Sequence, residues 1–574
     1  MNHFLPKLKV ATAIAAAAAL LAACGGSSND TTPAAPVATS PATTAGVSAY
    51  APAVGDPAAY IDGGLKITFD APPRIGYTGT IKVFKSLDNS LVDTIDISNA
   101  TVLAAGETQT GIPFTNTEID QIGKGAAGLT QWRYVYYQPV TVVGNVATIK
   151  LHDGALAYNT DYYVTMDPGV IAGTVNGAGL HAITGAKTWT FHTKNAPTST
   201  TAVTVDDNGA ADFRSVQGAL NWMMANGCVT CKNAADAKTV TIKNGDYNEL
   251  LFLRNVNNLT LAGESRAGVV VHYENFESYN PGTGGSKNAV QTTLSTVQGL
   301  TRRAVGGGRA VLLVENADLL KLTNFTLTNT HVKQSIFNNQ AETIYFNSAT
   351  LDGSRFVASY MNFISAQDTI QTKGWAWFYQ SYIAGDVDFI WGSPYAAMFE
   401  QSELHTVFDP TGAALGPYSG GYLFQARAAY GYPGFVVANS SLTADAKVPA
   451  GSAYLGRSGG LTVANGYCNT RFTTGSFGNP NLGCDNIAYI GNKIGPHIAS
   501  VGWFTQPAAS PIPDPLPSAA SGWRESGSMN LDGSAANVSG RSGYAGTSFD
   551  LSGASTRAQV FSSWNNGAGW TPTP

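Results

Sequence analysis

The sequence predicts an all-β protein in which an antiparallel β-sandwich is followed by a larger, right-handed parallel β-helix. Charged residues make up only 12% of the chain and 63 of its 574 residues are glycine, a composition typical of exported β-rich proteins with many turns. In the first part of the chain apolar and polar residues alternate, whereas further on short apolar runs recur about every 20 residues. The length exceeds what a single core sustains, so two or more domains are expected.

Residues 1–24 have the pattern of an export signal. Two lysines precede an apolar run, Val10–Leu21, which is shorter than the about 20 residues that a membrane-spanning helix needs. The run ends in Leu-Ala-Ala-Cys, so Cys24 resembles the lipidated first residue of a mature bacterial lipoprotein. Gly25 then implies an outer-membrane lipoprotein, facing the periplasm or the cell surface. The alternative is an ordinary secretory signal with an incidental cysteine.

Residues 25–46 consist mainly of Gly, Ser, Thr, Pro and Ala, which predicts a flexible linker. Residues 47–195 contain period-two runs separated by turn residues, which predict the β-sandwich. The runs Tyr162–Met166 and Trp189–Thr193 resemble the end of the bacterial Ig-like modules found beside secreted enzymes. A spacer role is favoured over carbohydrate binding. The clearest runs are Leu65–Phe69, Ile81–Phe84, Val146–Leu151, Tyr162–Met166 and Trp189–Thr193.

Residues 199–574 form the predicted parallel β-helix, which opens with a short strand and a helix from Asp212 to Asn226. Short apolar runs then recur without intervening helices, as in solenoids. Successive coils of a β-helix stack about 4.8 Å apart, so residues one coil apart in sequence become neighbours in space. Among the runs are Val240–Ile242, Leu259–Leu261, Val269–Val271, Val311–Val314, Phe325–Leu327, Ile344–Phe346, Phe356–Ala358, Phe389–Trp391 and Phe435–Val437.

Charge and cysteine usage exclude several classes of protein. The net charge is -5 and the body of the chain lacks a basic run, which disfavours a nucleic-acid partner. Four cysteines remain besides Cys24, and in an oxidising compartment they are expected to form local disulfides, Cys228 with Cys231 and Cys468 with Cys484. A redox motif or a metal site are the alternatives, but the histidines lack metal-ligand spacing. We expect no metal or cofactor, and a monomer.

Polar residues interrupt the apolar rhythm at Gln340, at Gln367 with Asp368, and at Asp388. Asp368 and Asp388 are 20 residues apart and Gln340 precedes Asp368 by 28, so each step is about one coil. All four side chains can therefore lie on one face. Two close carboxylates in apolar surroundings should not both ionise freely, which holds one of them protonated. Acid-assisted ester cleavage needs such a pair.

Five separated segments form an ordered set, which consists of Gly245–Glu249, Gln340-Ala341, Gln367–Ile370, Gly385–Gly392 and Tyr454–Arg457. In this order they resemble motifs of the pectin methylesterase family. The match extends from about residue 199 to the end of the chain, and it agrees with the β-helix predicted independently from the apolar runs.

The resemblance implies a role for each matching residue. Asp388 would be the nucleophile and Asp368 the general acid and base. Gln340 and Gln367 would donate to the oxyanion, and Arg457 would orient Asp388. The implied reaction is hydrolysis of methyl esters of homogalacturonan, an acidic polysaccharide, to pectate and methanol. The substrate-binding residues implied by position are Trp391, Phe389 and Gln371.

The match departs from the family pattern around the substrate. The Pro-Trp that usually follows Leu-Gly-Arg is replaced by Ser-Gly after Arg457, and Trp375 or Trp377 could compensate for the missing stacking surface. Asp386 adds a carboxylate two residues before Asp388, which on a strand would share its face. Two alternatives therefore stay open. One is an envelope esterase or thioesterase with another substrate, and the other is a noncatalytic polysaccharide-binding protein.

Overall fold

The fold is taken from a computed structural model, which describes residues 49–97, 117–128, 132–227, 236–280, 308–411, 421–428, 431–459, 486–504, 523–541 and 556–574. Residues Ala49–Pro574 form one compact unit. The predicted signal, the whole of the predicted linker and all five cysteines lie outside the described residues. None of the helices in the described ranges is long and apolar enough to cross a membrane.

The N-terminal part of this unit is built from short strands in antiparallel sheets. The strands are β1 (Tyr50–Ala51), β2 (Asp56–Ala59), β3 (Leu65–Thr68), β4 (Arg74–Ile75), β5 (Thr80–Lys85), β6 (Leu91–Asp96), β7 (Glu118–Ile122), β8 (Arg133–Tyr137), β9 (Val140–Val143), β10 (Val146–Ile149), β11 (Asp161–Met166), β12 (Ile171–Val175), β13 (Ala178–Leu180) and β14 (Thr190–Thr193). One sheet has the order β1-β3-β10-β9, a second β2-β14-β11-β5-β6 and a third β13-β12-β4, with β2 and β14 parallel. Their apolar faces enclose a core that includes Ile67, Phe69, Val164 and Trp189.

The hairpin of β7 and β8 belongs to the predicted N-terminal domain by sequence but packs against the C-terminal domain. These two strands pair only with each other among the described strands, and Ile122, Tyr134 and Tyr136 pack into the core of the C-terminal domain. The backbone amide of Tyr136 donates to Oδ1 of Asn280 at 2.7 Å, and Nδ2 of Asn280 donates back to the Tyr136 carbonyl at 2.9 Å. The N-terminal module is therefore joined to the β-helix by a shared core.

The C-terminal part is a parallel β-helix, as predicted. Its coils contribute to a 15-stranded and a 9-stranded sheet in which every pairing is parallel. The strands are β15 (Ala202–Val205), β16 (Lys238–Ile242), β17 (Gly245–Asn248), β18 (Leu251–Arg254), β19 (Leu259–Gly263), β20 (Val269–Tyr273), β21 (Leu312–Glu315), β22 (Leu320–Thr323), β23 (Thr326–Asn329), β24 (Ile344–Asn347), β25 (Arg355–Ser359), β26 (Asn362–Ile364), β27 (Ile370–Tyr379), β28 (Tyr382–Gly385), β29 (Val387–Glu400), β30 (Glu403–Thr406), β31 (Tyr422–Ala426), β32 (Gly434–Ala438), β33 (Ser441–Ala444), β34 (Tyr454–Ser458), β35 (Ile487–Ile490), β36 (Lys493–Ile494), β37 (Trp523–Ser526) and β38 (Met529–Asn530).

In the described ranges, three short helices accompany the strands. Helix α1 (Val216–Ala225) begins after Ser215, whose hydroxyl accepts from the Gly218 amide as an N-cap, and it packs on β15, β16 and β18. The helix predicted from residue 212 thus begins at residue 216, because the cap serine precedes its first turn. Helices α2 (Arg557–Val560) and α3 (Trp564–Gly567) lie near the C-terminus.

Seven of the described coils turn between the two large sheets at a residue in the left-handed conformation. Left-handed backbone dihedral angles reverse the direction in which the chain bends, which makes a sharp corner possible. Gly and Asn adopt these angles readily, whereas most other residues do not. Tyrosine and glutamine at three of these corners therefore store local strain that the stacked coils must offset. The corner residues are Asn324 (φ 61°), Tyr360 (57°), Gln380 (45°), Gln401 (50°), Asn439 (51°), Gly491 (62°) and Gly527 (66°).

A buried carboxylate ties the hairpin to the solenoid and should be critical for stability. Glu315 accepts from Nη2 of Arg133 at 2.5 Å and also pairs with Arg254, and all three side chains are at most 7% exposed. Glu315→Gln would leave two buried guanidinium groups without this shared carboxylate. We expect the free energy of unfolding, measured by urea denaturation, to fall by about 3–5 kcal/mol.

The matched control is Glu264→Gln, because Glu264 pairs with Lys243 at 3.1 Å while both side chains are about two-fifths exposed. An exposed, solvent-screened ion pair contributes little to the free energy of unfolding. Equal small losses for the two variants would contradict the assignment of Glu315 as a structural tie.

Candidate active site

A branch of the 15-stranded sheet positions the candidate residues. Here β24, β27, β29, β31 and β34 come from successive coils and lie side by side in parallel. One residue from each strand falls in a continuous register, in the order Tyr345, Gln371, Trp391, Gln425 and Arg457. Residues from distant parts of the chain therefore meet along one row.

Asp388 lies at a break in the regular pairing of this branch. Its φ is 49°, and the register between β29 and β31 shifts between Val387 and Ile390. The carboxylate is buried, yet Arg457 donates to both of its oxygens, Nε to Oδ1 at 2.8 Å and Nη2 to Oδ2 at 2.5 Å. Gln425 Nε2 donates to Oδ2 at 2.8 Å. A bidentate guanidinium and an amide thus fix the orientation of this carboxylate.

Asp368 occupies the preceding coil, also in the left-handed conformation. Its φ is 64°, and its backbone amide donates to the Val387 carbonyl at 3.0 Å, directly beside Asp388. Arg309 Nη2 donates to its Oδ2 at 2.8 Å. Burial raises the pKa of Asp368 well above its usual range; Arg309 opposes that shift, and the carboxylates of Glu342 and Asp388 add to it. Asp368 is therefore suited to hold a proton near neutral pH.

Gln340 and Gln367 lie in the coils that precede the two aspartates. The Ala341 amide donates to the Gln367 carbonyl at 3.0 Å, and Gln367 bridges to Val387, so the coils stack in the predicted order. Both side chains are half-buried. Oε1 of Gln340 is buried without a hydrogen-bond partner in the described part of the chain. The structure thus places Gln340 and Gln367 in stacked coils next to Asp368 and Val387.

The three predicted substrate-binding residues are placed differently from one another. Phe389 has no exposed surface and packs in the solenoid core, so the prediction that it contacts substrate is wrong. Gln371 is 1% exposed and lies in the row beside Trp391. Trp391 is 6% exposed, and its ring lies 5.6 Å from the guanidinium carbon of Arg309 and 5.3 Å from that of Arg427. Of the three, only Trp391 presents some aromatic surface between cations.

Trp375 and Trp377 do not replace the missing stacking residue. Both are fully buried in a second cluster on the outside of the solenoid, together with Phe561. That cluster is covered by the C-terminal segment, and Arg557 of α2 lies 4.7 Å from the Trp377 ring. The expectation that either tryptophan stacks on a sugar is therefore wrong.

Asp386 and Asp388 point to different partners, although strand alternation predicts a common face. Asp386 is buried against Lys333, whose Nζ also lies 2.7 Å from Oδ2 of Asp409. Asp386 precedes β29, and the left-handed backbone at Asp388 breaks the alternation. The carboxylate of Asp386 is thus paired with the buried Lys333, while that of Asp388 is paired with Arg457.

Four residues at the site were missed in the sequence, among them Arg427, whose guanidinium carbon lies 5.3 Å from the Trp391 ring. Arg309 contacts Asp368, Glu342 contacts Arg309, and Gln425 contacts Asp388. Two of them carried a signal, since Gln425 is polar inside the apolar strand β31 and Glu342 is a charge two residues after Gln340. Arg309 follows three glycines and precedes an apolar run, and nothing in that context indicates which way it points.

The described ranges contain no group of three or more His, Cys, Asp and Glu side chains that could hold a metal ion. The expected disulfide pairs of Cys228 with Cys231 and Cys468 with Cys484, and the expected lipidation at Cys24, fall outside those ranges.

Comparison with known proteins gives partial matches. The chain is 27% identical to a pectinesterase of Ralstonia nicotianae over 267 residues, which are 45% of this chain and 62% of that protein. It is 26% identical to a pectinesterase of Ralstonia solanacearum over 274 residues, 46% of this chain and 64% of that one. The chain thus spans less than two thirds of these relatives. Pectin methylesterase PemA from Erwinia chrysanthemi superposes with a TM-score of 0.45 at 21% identity, covering 66% of this chain and all of the other. No family model matches.

Proposed function

We propose that this protein is a carbohydrate esterase that hydrolyses methyl esters of pectin to pectate and methanol. The observation that carries the proposal is the pairing of two buried aspartates from adjacent coils. Asp388 is oriented by Arg457 and Gln425, whereas the pKa of Asp368 is raised by burial. The relatives named pectinesterase support the same activity.

The first half of the proposed reaction forms an acyl-enzyme. A carboxylate oxygen of Asp388 attacks the carbonyl carbon of the methyl ester, and the carbonyl electron pair moves onto its oxygen. The side-chain amides of Gln340 and Gln367 donate to this oxyanion. When the carbonyl re-forms, the bond to the methoxy oxygen breaks, and the carboxyl proton of Asp368 passes to that oxygen. Methanol leaves, and a mixed anhydride joins Asp388 to the substrate.

The second half regenerates the enzyme. Asp368, now a carboxylate, removes a proton from a water molecule as the water oxygen attacks the substrate carbonyl of the anhydride. The bond between that carbonyl and the Asp388 oxygen breaks, which returns Asp388 to its carboxylate form. The product is a free uronate group, whose acid proton is lost to solvent. Asp368 again holds a proton, so each residue ends as it began.

The charges around the site suit an acidic carbohydrate. Arg427 lies beside Trp391, and its Nε is buried without a hydrogen-bond partner among the described residues. A guanidinium group in this position is available to a carboxylate, which it recognises through paired donors. In a partly methylated polymer, such carboxylates flank the reacting ester.

The test is methanol release from highly methylated pectin by the full chain in mild detergent. We expect stoichiometric formation of methanol and new carboxylate groups by the wild type, and neither product from Asp388→Asn. Retention of the polymer by both proteins with no turnover would overturn the esterase and would indicate a noncatalytic polysaccharide-binding protein.

The buried aromatic residues favour a second candidate with the same chemistry. Phe389, Trp375 and Trp377 have no exposed surface, so part of the expected sugar-stacking surface is missing. Hydrolysis of another envelope ester or thioester would need the same two aspartates. Acetylated sugars and acyl thioesters should therefore be compared with pectin in the same assay, and a preference for either would replace pectin as the substrate.

We further propose that Cys24 anchors the mature protein in the outer membrane, as its sequence context implies. Cys24→Ser should block both lipid attachment and signal removal, because the thiol is the acylated group. Metabolic labelling with a radioactive fatty acid measures the first effect, and gel mobility measures the second. Cys228→Ser is the matched control, and loss of label from that variant as well would contradict the assignment.

A further inference from the structure

Arg309 contacts three carboxylates, one of which is that of Asp368. Its Nε is 2.9 Å from each carboxylate oxygen of Glu342, its Nη2 donates to Asp368, and its Nη1 donates to Glu277 Oε2 at 3.0 Å. The side chains of Arg309, Glu342 and Asp368 are 8%, 0% and 10% exposed, while that of Glu277 is 25% exposed. The proposed mechanism gives Arg309 and Glu342 no role.

The cluster has too few positive charges for all of its buried carboxyl groups to be ionised. One buried guanidinium lies between two buried carboxyl groups, and such a pair does not ionise twice without a large cost in free energy. Burial raises the pKa of both Glu342 and Asp368, with Arg309 opposing the shift at each. The cluster should therefore retain one proton near neutral pH, shared between Glu342 and Asp368.

The hydrogen bonds decide where that proton resides. Glu342 accepts from Arg309 Nε at both oxygens, and Trp391 Nε1 donates to its Oε1 at 3.2 Å. In the described ranges, Asp368 receives a side-chain hydrogen bond from Arg309 alone, and only at Oδ2. Donors favour the ionised form of the group that accepts them. The ionised group is thus Glu342, and the proton belongs on Asp368.

We propose that Arg309 and Glu342 are a positioning pair that holds the proton of the site on Asp368 and aims its carboxyl group at the leaving group. The inference rests on the proposed esterase function, to which it adds two residues. After Asp368 gives up its proton, the buried carboxylates of Glu342 and Asp368 share one guanidinium. That state favours the return of a proton from water, which is the base step of the second half-reaction.

The predicted effect on pH dependence follows from the groups that face Asp368, which are Arg309, Glu342, Asp388 and Arg427. Asp368 must be protonated when methanol leaves, so kcat/KM falls as pH rises through its pKa. Glu342→Gln removes a negative charge and lowers that pKa. The alkaline limb of kcat/KM should therefore move to lower pH, by about one unit or more.

The opposite change should have the opposite sign. Arg309→Met removes the positive charge that lowers the pKa of Asp368, so its alkaline limb should move to higher pH. Glu249→Gln is the matched control, because Glu249 is a buried carboxylate that accepts from the Val216 and Gln217 amides at the start of α1. The alkaline limb of kcat/KM of this control variant should not move. Lower activity without a shift of the limb in both site variants would overturn the proposal.

A second measurement needs neither substrate nor a stable Glu342 variant. The infrared difference spectrum of wild type minus Asp368→Asn at neutral pH should contain the carbonyl band of one protonated carboxyl group. Labelling aspartate side chains with carbon-13 should shift that band, since the proton is on Asp368. A shift on glutamate labelling instead would place the proton on Glu342 and overturn the proposal. Absence of methanol release with an aspartate band present would refute the proposed substrate alone.

Discussion

Replacing Asp388 by asparagine should abolish ester hydrolysis, with kcat falling by at least about 10⁴-fold, as expected when a nucleophile is removed. An amide oxygen is a poor nucleophile, and the covalent intermediate cannot form. Methanol release from methylated pectin measures the loss. Asp352→Asn is the matched control, because Asp352 is an exposed aspartate of the same solenoid, and its activity should equal that of the wild type.

Asparagine is chosen because it has the shape of aspartate. One side-chain oxygen remains to accept from Arg457, so the left-handed turn at Asp388 should keep its geometry. Loss of activity with an unchanged thermal unfolding midpoint assigns the effect to chemistry. Residual turnover above about one hundredth of the wild-type rate would contradict a nucleophilic role for Asp388.

The solenoid and its two aspartates were predictable because a β-helix converts sequence spacing into contact. Short apolar runs one coil apart can bury their side chains only by stacking, so the period of the runs predicts the fold. The same period places Asp368 beside Asp388, and the backbone hydrogen bond from the Asp368 amide to the Val387 carbonyl shows the coils in contact. Predicting the solenoid and its aspartate pair therefore required little more than the local pattern of apolar and polar residues.

The direction of individual side chains was harder to predict. Strand alternation assigns Asp386 and Asp388 to one face, but the positive φ of Asp388 rotates it away from that face. Aspartate adopts this conformation more readily than most residues, yet no local signal distinguishes it from its neighbour at position 386. The next residue, Phe389, consequently points into the core instead of toward substrate.

Contacts between distant segments lay beyond sequence reasoning. Trp375 and Trp377 look available for sugar stacking until Phe561 and the rest of the C-terminal segment cover them. Arg309 similarly reaches Asp368 across two coils, and the Glu342 contact that fixes its side chain is itself a tertiary contact. No repeating sequence pattern predicts either contact, so both become visible only in the folded chain.

Replacing Asp368 by asparagine should lower kcat on the methyl ester by about 10²–10⁴-fold, the usual loss for a general acid and base. Methoxide is a poor leaving group and needs the proton of Asp368, so formation of the acyl-enzyme slows. An aryl ester of galacturonate should respond differently, because its leaving group departs without a proton. We expect a burst of one aryl alcohol per enzyme at close to the wild-type rate, measured by rapid mixing.

After the burst, turnover on the aryl ester should be slow, since hydrolysis of the anhydride on Asp388 still needs the base that Asp368 provides. A trapped acyl-enzyme should then be detectable as a mass increase of the intact chain. The Asp388→Asn variant should show neither burst nor mass increase, which separates the two aspartates by role. Equal losses on both esters without a burst would mean that Asp368 positions the substrate and transfers no proton.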